Sequence, residues 1–293
     1  MKGVVCVNKP IGWTSFDVVA RLRRILKNKK IGHSGTLDPI ATGVLPVFIG
    51  KATKAISFLQ NTQKAYIAGF ELGKQTDTLD CSGQLIYKKK STVRIEQVQS
   101  ALKRFSGLIS QVPPKFSALK IKGTPAYRLA RAGKNFELNP RQVEVYEIKC
   151  VKFDSETQSG EFFVHCSSGT YIRAICRDLG DYLNTGCVLK SLVRTMACGW
   201  NLADCFTLEE IESLSASGNF EKFIIALDCV FNNLVKLKLS SSDRIRFLNG
   251  ASIKLPNRVP KENVEFVAVY FKDEFLGLAK LKEDELIVEK LFV

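Results

Sequence analysis

Gly32-His33-Ser34-Gly35-Thr36-Leu37-Asp38-Pro39-Ile40-Ala41-Thr42-Gly43-Val44-Leu45-Pro46 is the stretch on which the reading of this chain turns. It holds one carboxylate, Asp38, set between Leu37 and Pro39. Pro39 fixes its own φ and biases Asp38 towards an extended conformation. Gly32, Gly35 and Gly43 permit tight turns and the close approach of a ligand backbone. His33 is one of two histidines in the protein. The apolar run that follows predicts a buried strand over 44–49. A rigid loop that presents an acid and an imidazole at a strand entrance is suited to holding a ligand. Taken alone, an Asp-Pro pair more commonly just opens a turn. Two familiar motifs are excluded. No Lys follows Gly35 to close a phosphate-cradling loop, and Thr36 stands where the esterase Gly-x-Ser-x-Gly elbow needs its second glycine.

Outward from this loop, composition limits the class. The chain has 293 residues, enough for one large domain with a small appendage or for two domains. No apolar run approaches the roughly 18 residues that span a bilayer. The start, Met1-Lys2-Gly3-Val4-Val5-Cys6-Val7-Asn8-Lys9-Pro10, is interrupted too soon for a signal peptide. Nine cysteines without a Cys-x-x-Cys pair suggest neither a disulfide framework nor a zinc site. Cys6, Cys150 and Cys166 sit in apolar runs and read as buried thiols. A reducing cytoplasm, no membrane and no metal are expected.

The net charge of +14 is unevenly placed. Residues 240–293 carry nine basic and nine acidic side chains, so the whole excess falls in 1–239. Residues 1–30 alone hold Lys2, Lys9, Arg21, Arg23, Arg24, Lys27, Lys29 and Lys30 against Asp17. Such a run is most often a solvated face. An excess of this size in one part of the chain fits a polyanion such as RNA better than a small neutral metabolite.

Patterning predicts a first strand over 4–7 and a helix capped near Thr14 or Ser15. Val18, Val19, Leu22, Ile25 and Leu26 form its inner face, while Arg21, Arg24 and Lys27 form a basic stripe on another. A short helix over 51–59, a strand over 66–72 and an amphipathic segment over 94–105 follow. Thr76-Asp77-Thr78-Leu79-Asp80 reads as a turn stabilised by Asp side chains rather than a cation loop. The segment 112–123 is a basic loop leading into a helix over 125–132, and Lys115, Lys120, Lys122, Arg128 and Arg131 cluster there as phosphate contacts. Strands over 143–153 and 161–166 deliver the chain to a helix running from about 168 to 184. Thr207-Leu208-Glu209-Glu210 is a capping box. His165, in an apolar strand, reads as structural. Beyond 239, alternating runs over 264–271, 275–280 and 286–291 predict a small β unit.

The loop from Gly32 to Pro46 resembles the signature of the TruB family of tRNA pseudouridine synthases. The resemblance continues, in order, through Lys51-Ala52-Thr53-Lys54, Lys64-Ala65-Tyr66, Thr76-Asp77-Thr78-x-Asp80 and Pro113-Pro114-x-Phe116-Ser117-Ala118-x-Lys120. Ala126-Tyr127, Ala130-Arg131-x-Gly133, Ser168-Gly169-Thr170-Tyr171-Ile172-Arg173 and Leu192-x-Arg194-Thr195 complete the set, so that it spans about residues 3–200. Ser34, Ile40 and Phe116 stand where the family usually has Thr, Leu and Tyr.

The resemblance implies an α+β protein. Residues 1–239 would form a catalytic domain around a large mixed, mainly antiparallel sheet with flanking helices. Residues 240–293 would form a small β domain of PUA type. It implies isomerisation of uridine to pseudouridine at position 55, in the T loop of tRNA, with no cofactor and no obligatory protein partner. The uracil leaves C1′, turns within the site and rejoins through C5. Glycosidases need a second carboxylate to direct water. An isomerase releases no free base, which agrees with one acid in the key loop. Asp38 would be the nucleophile, and Arg173 the cation that lowers its pKa. Tyr66 would stack on the flipped uracil and assist proton removal from C5. Tyr171 and Leu192 would line the pocket, and His33 would enter the RNA loop to support the extruded nucleotide. Lys9, Arg21, Lys64, Lys115, Lys120 and Arg131 would contact the RNA backbone, and Lys254, Arg258 and Lys261 a distant part of the tRNA. A chain ending near Leu239, if folded, would keep the chemistry. The reading from another class is an RNA-binding or tRNA-folding protein whose catalysis is dispensable. A small-molecule esterase or glycosidase leaves the charge unexplained.

Overall fold

In a computed structural model of the protein, residues 1–59, 62–254, 265–282 and 284–293 are described. Arg258 and Lys261 therefore lie outside the described residues, as does the start of the run expected from 264. A nine-stranded sheet forms the larger part. Along its main path run the strands Gly3–Lys9, Ala41–Ile49, Cys187–Ala197, Lys64–Leu72, Ser159–Cys166, Arg141–Asp154 and Gly107–Gln111. Only the Ala41–Ile49 and Cys187–Ala197 pair on this path is parallel, so the sheet is mixed and mainly antiparallel as expected. Strands begin two to three residues earlier than the apolar runs suggest at Ala41, Lys64 and Arg141. Cross-strand hydrogen bonding carries polar residues into the ladder once neighbours are paired.

The helix Ser15–Ile25 starts at Thr14, whose hydroxyl accepts from the Asp17 N–H at 3.1 Å while Asp17 accepts from the Thr14 N–H at 2.8 Å. Val18, Val19 and Leu22 are buried in the main core. The helix Ile172–Tyr182 buries Ile172, Ile175, Cys176 and Leu179 against the sheet. The expected helix over 51–59 is a run of 3₁₀ turns, Gly50–Phe58. The basic segment is more structured than a loop. It folds into a two-residue hairpin, Lys120–Ile121 with Thr124–Pro125, before the helix Ala126–Arg131. Cys6 and Cys166 are buried, whereas Cys150 is half-buried.

A five-stranded sheet is built from the later part of the chain. Its strands include Lys236–Lys238, Val267–Phe271, Glu274–Lys282 and Glu285–Leu291, so it draws on residues both before and after 239. The two parts share packing. Val4, Phe48, Ala52 and Ala55 join Leu227, Phe231, Leu234, Phe266, Phe275 and Phe292 in one apolar cluster. Among the described residues no helix is long and apolar enough to cross a membrane.

Candidate active site

Asp38 is held through its neighbours. The buried Ser15, in the first turn of its helix, accepts from the Leu37 N–H at 2.8 Å and donates to the Leu37 carbonyl at 3.2 Å. On the other side, the Gly12 N–H donates to Pro39 O at 2.8 Å and the Ala41 N–H to Asp38 O at 3.0 Å. The carboxylate thus sits on a backbone fixed at both ends, with its side chain 38% exposed towards a cavity.

Arg173, in the first turn of its helix, is 6% exposed, and both of its terminal nitrogens are engaged. Its Nη2 lies 2.8 Å from Asp38 Oδ2 and donates to Phe116 O at 2.9 Å. Its Nη1 donates to Thr78 O at 3.0 Å and lies 3.7 Å from Asp80 Oδ2. The other Asp80 oxygen accepts from the Thr78 hydroxyl at 2.8 Å and the Ser82 N–H at 3.0 Å. The 76–82 turn is thus the plain Asp-stabilised turn expected, and it also fixes the arginine. Gln111, 1% exposed, clamps the start of the same helix. Its amide oxygen accepts from the Tyr171 N–H at 2.8 Å and its amide nitrogen donates to Tyr171 O at 3.1 Å.

The cavity in front of Asp38 has a volume of about 230 Å³, and Lys64, Tyr66, Tyr171, Arg173 and Leu192 share its wall with Asp38. Six residues from four separate stretches of sequence therefore meet. A larger cavity, about 680 Å³, shares the 112–118 segment as a wall but contains none of these six. His33 does not line the smaller cavity; it lies on the strand Ile31–His33, half-buried, with its charged form disfavoured first by burial and then by Arg194.

One electrostatic expectation is reversed. Burial pushes the Asp38 carboxyl above its ordinary value, and Arg173, which pulls it down, does not fully offset this. Asp80 adds to the upward push. Burial also raises the phenols of Tyr66 and Tyr171 and lowers the Lys64 ammonium.

Lys9 is misplaced by the sequence reading. It is wholly buried, and its ammonium donates to the carbonyls of Pro10 at 2.9 Å and Trp13 at 2.6 Å. Burial lowers its pKa to about 8. It cannot reach a phosphate on the surface. Arg21 meets Glu212 at 2.6 Å across two helices, so its charge is already paired. Lys115, Lys120 and Arg131 are exposed, and Arg131 lies over the Tyr127 ring at 5.7 Å. His165 has the structural setting expected, with Nε2 3.1 Å from Gln63 Oε1. Gln111 and Arg194 have no role in the sequence reading, and Ser15 has only that of a candidate helix cap. Only Arg194 stood within a quoted block. Among the described residues no group of three or more His, Cys, Asp or Glu side chains could hold a metal ion.

Comparison with solved structures places the fold. A chain of the H/ACA RNP bound to a substrate RNA containing 2′-deoxyuridine superposes with a TM-score of 0.74 at 25% identity, over 99% of this chain and 85% of that one. A chain of a Cbf5-Nop10-Gar1 complex gives 0.74 at 26% identity over the same shares. The fold is that of the pseudouridine synthases, with a curled C-terminal sheet of PUA-like kind. Residues 23–172 match the TruB family pseudouridylate synthase, N-terminal domain. The tRNA pseudouridine synthase B of Trichormus variabilis is 39% identical over 100% of this chain and 99% of its own. That of Clostridioides difficile is 38% identical over the whole of both. The chain belongs to the TruB family of pseudouridylate synthases.

Proposed function

We propose that the protein isomerises uridine to pseudouridine in tRNA, at position 55 of the T loop, with Asp38 as the nucleophile. The observation that carries this reading is the Asp38–Arg173 pair at 2.8 Å in the wall of a cavity shared with Tyr66, Tyr171 and Leu192. Relatives matched over their full length bear the name tRNA pseudouridine synthase B. Arg173 binds Oδ2, and Asp38 lines the cavity that takes the flipped nucleotide. The N1–C1′ bond breaks, the uracil turns and a C5–C1′ bond forms. C5 loses a proton and N1 gains one, so the reaction needs neither water nor a redox partner. Tyr66 stacks on the uracil, with Tyr171 and Leu192 as walls, and His33 supports the opened RNA loop. Base extrusion costs a few kcal/mol, offset by this stacking. Lys64, inside the cavity, and Lys115, Lys120 and Arg131, on the surface, take the RNA backbone. The enzyme acts in the cytoplasm, as its nine free thiols suit, and without an obligatory protein partner.

The test is pseudouridine mapping on an unmodified tRNA transcript before and after incubation with the pure protein. A single new pseudouridine at position 55 is expected. No conversion, or conversion only elsewhere, overturns the reading.

Two further results are expected. Arg173→Lys keeps a charge but loses the fork that binds Asp38, Thr78 and Phe116 together. The single-turnover rate should fall roughly 10²-fold, as when one preorganised donor is lost, with tRNA affinity little changed. An unchanged rate at saturating tRNA would mean that Arg173 does not position Asp38. The second concerns pH. Asp38 must be ionised to react, and its pKa is raised, so activity should fall on acidification at a midpoint above the ordinary value of about 3.9. Arg173→Met should move that midpoint further up, because the guanidinium is the strongest group pulling it down. Single-turnover rates across pH for both proteins measure the two midpoints.

A further inference from the structure

Arg194 is fully buried at the junction of three strands. Gly43 is its partner on the parallel side and Tyr66 its partner on the antiparallel side. Gly43 is required there, since its φ is +98° and a Cβ would run into the Arg194 backbone. Directly opposed residues on neighbouring strands point to the same face. The guanidinium and the Tyr66 phenol therefore lie on one side of the sheet, the side of the cavity.

Two of the three guanidinium nitrogens are used. Nε donates to Val44 O at 2.7 Å and Nη2 to Gly35 O at 3.0 Å. Nη1 is buried and has no hydrogen-bond partner. It lies 3.3 Å from the position a Cβ on Gly35 would take, a position 3.4 Å from Lys64 Nζ, and Lys64 and Tyr66 both line the cavity. A buried cationic donor without an acceptor is costly, and in a native site it calls for an explanation. A partner that becomes a strong acceptor only during the reaction supplies one.

We propose that Arg194 is a positioning residue for Tyr66, its spare Nη1–H being kept for the Tyr66 oxygen while that oxygen is a phenolate. The inference rests on the isomerisation reading above. When the uracil has rejoined through C5, that carbon carries both C1′ and a hydrogen, and C6 is doubly bonded to N1. Tyr66 gives its phenolic proton to N1 and takes the proton of C5. The C5–H electron pair becomes the C5–C6 double bond, and the C6–N1 pair moves to N1 as the new N1–H bond. Tyrosine ends as it began, and no other reactant is consumed. In the interval its oxygen is negative inside a buried site. Burial opposes that charge, and the Arg194 side chain pulls the other way.

The experiment uses T-arm RNA with either uridine or 5-deuterated uridine at the target, under single turnover, with wild type and Arg194→Gln. The glutamine variant should be slower by about 10²-fold, the scale of general acid–base catalysis. It should also show a larger primary deuterium isotope effect than wild type, because removal of the C5 proton now limits the rate. Arg194→Lys, which restores the charge, should recover part of the rate and reduce the isotope effect. If Arg194→Gln fails to give a cooperative melt, Arg194→Lys carries the test, with an isotope effect still expected above that of wild type. A slower variant with an unchanged isotope effect, or a variant as fast as wild type, overturns the role of Arg194. A wild type that makes no pseudouridine overturns instead the functional reading on which this rests.

Discussion

Asp38→Asn should lose turnover by roughly 10⁴-fold or more, as when a reacting nucleophile is removed, and still bind tRNA. The substitution keeps the size of the side chain. Arg173 keeps its bonds to the Thr78 and Phe116 carbonyls and its proximity to Asp80, so the cavity should keep its shape. The fold should not suffer either. Because the Asp38 pKa is raised in the folded protein, whatever that group contributes to stability is lost as pH rises through the raised value. At neutral pH the ionised carboxylate is therefore a net cost, and a neutral amide should leave the melting temperature equal or higher. Three measurements check this: single-turnover pseudouridine formation, tRNA binding and thermal melting. Turnover near the wild-type rate would remove Asp38 from its role, and a binding loss as large as the rate loss would make it a binding residue.

Ending the chain after Leu239 should destroy the fold rather than leave a working catalytic unit. The expected division between 239 and 240 follows charge and strand patterning, but the packing crosses it. Phe231 packs in tilted contact with Phe275 and Phe292 at centroid distances of 5.7 and 5.9 Å. Phe48, Leu227, Phe231 and Leu234 would face water, and the strand Lys236–Lys238 would lose its partner. Uncovering one such side chain costs about 1.5–3 kcal/mol. Several together exceed much of the roughly 5–15 kcal/mol by which a domain is stable. The shortened protein should be insoluble or melt without cooperativity, and should give no pseudouridine in an isolated T-arm. A soluble form melting near the full-length protein, with activity intact, would show instead that residues 1–239 fold alone. Its salt dependence of binding would then say how much of the recognition they carry.

The loop around Asp38 was legible because its peculiarities are local. Prolines, glycines and a lone carboxylate speak for themselves within fifteen residues. Strand and helix positions were legible for the same reason, from apolar spacing within each segment. Depth was not. Lys9 and Lys115 look alike in sequence, yet one ammonium is sealed against two carbonyls and the other is exposed. The sign of the Asp38 shift was missed because a sequence shows the arginine but not the burial that outweighs it. Ser15 and Gln111 were missed because their partners, Leu37 and Tyr171, lie 22 and 60 residues away. Asp80 stood in a quoted motif, but nothing local says that its second oxygen faces Arg173.

The strand Gly3–Lys9 has a consequence for how the protein is made. Its alternating side chains serve two cores: Val5 and Val7 pack in the main one, Val4 in the cluster with Phe292. Lys2 and Lys51 reach the carbonyls of Phe292 and Val293 at 3.4 and 2.6 Å. The face that carries Val4 is therefore completed only by residues more than 280 positions later in the chain. At about 5–20 residues per second, translating that interval takes on the order of tens of seconds. Contacts so distant in sequence also form slowly once both ends exist. The outer edge of the strand, which bonds to the backbone of Phe206 and Ile225, also stays open until those residues exist, which makes the nascent protein a natural client of chaperones that shield such edges.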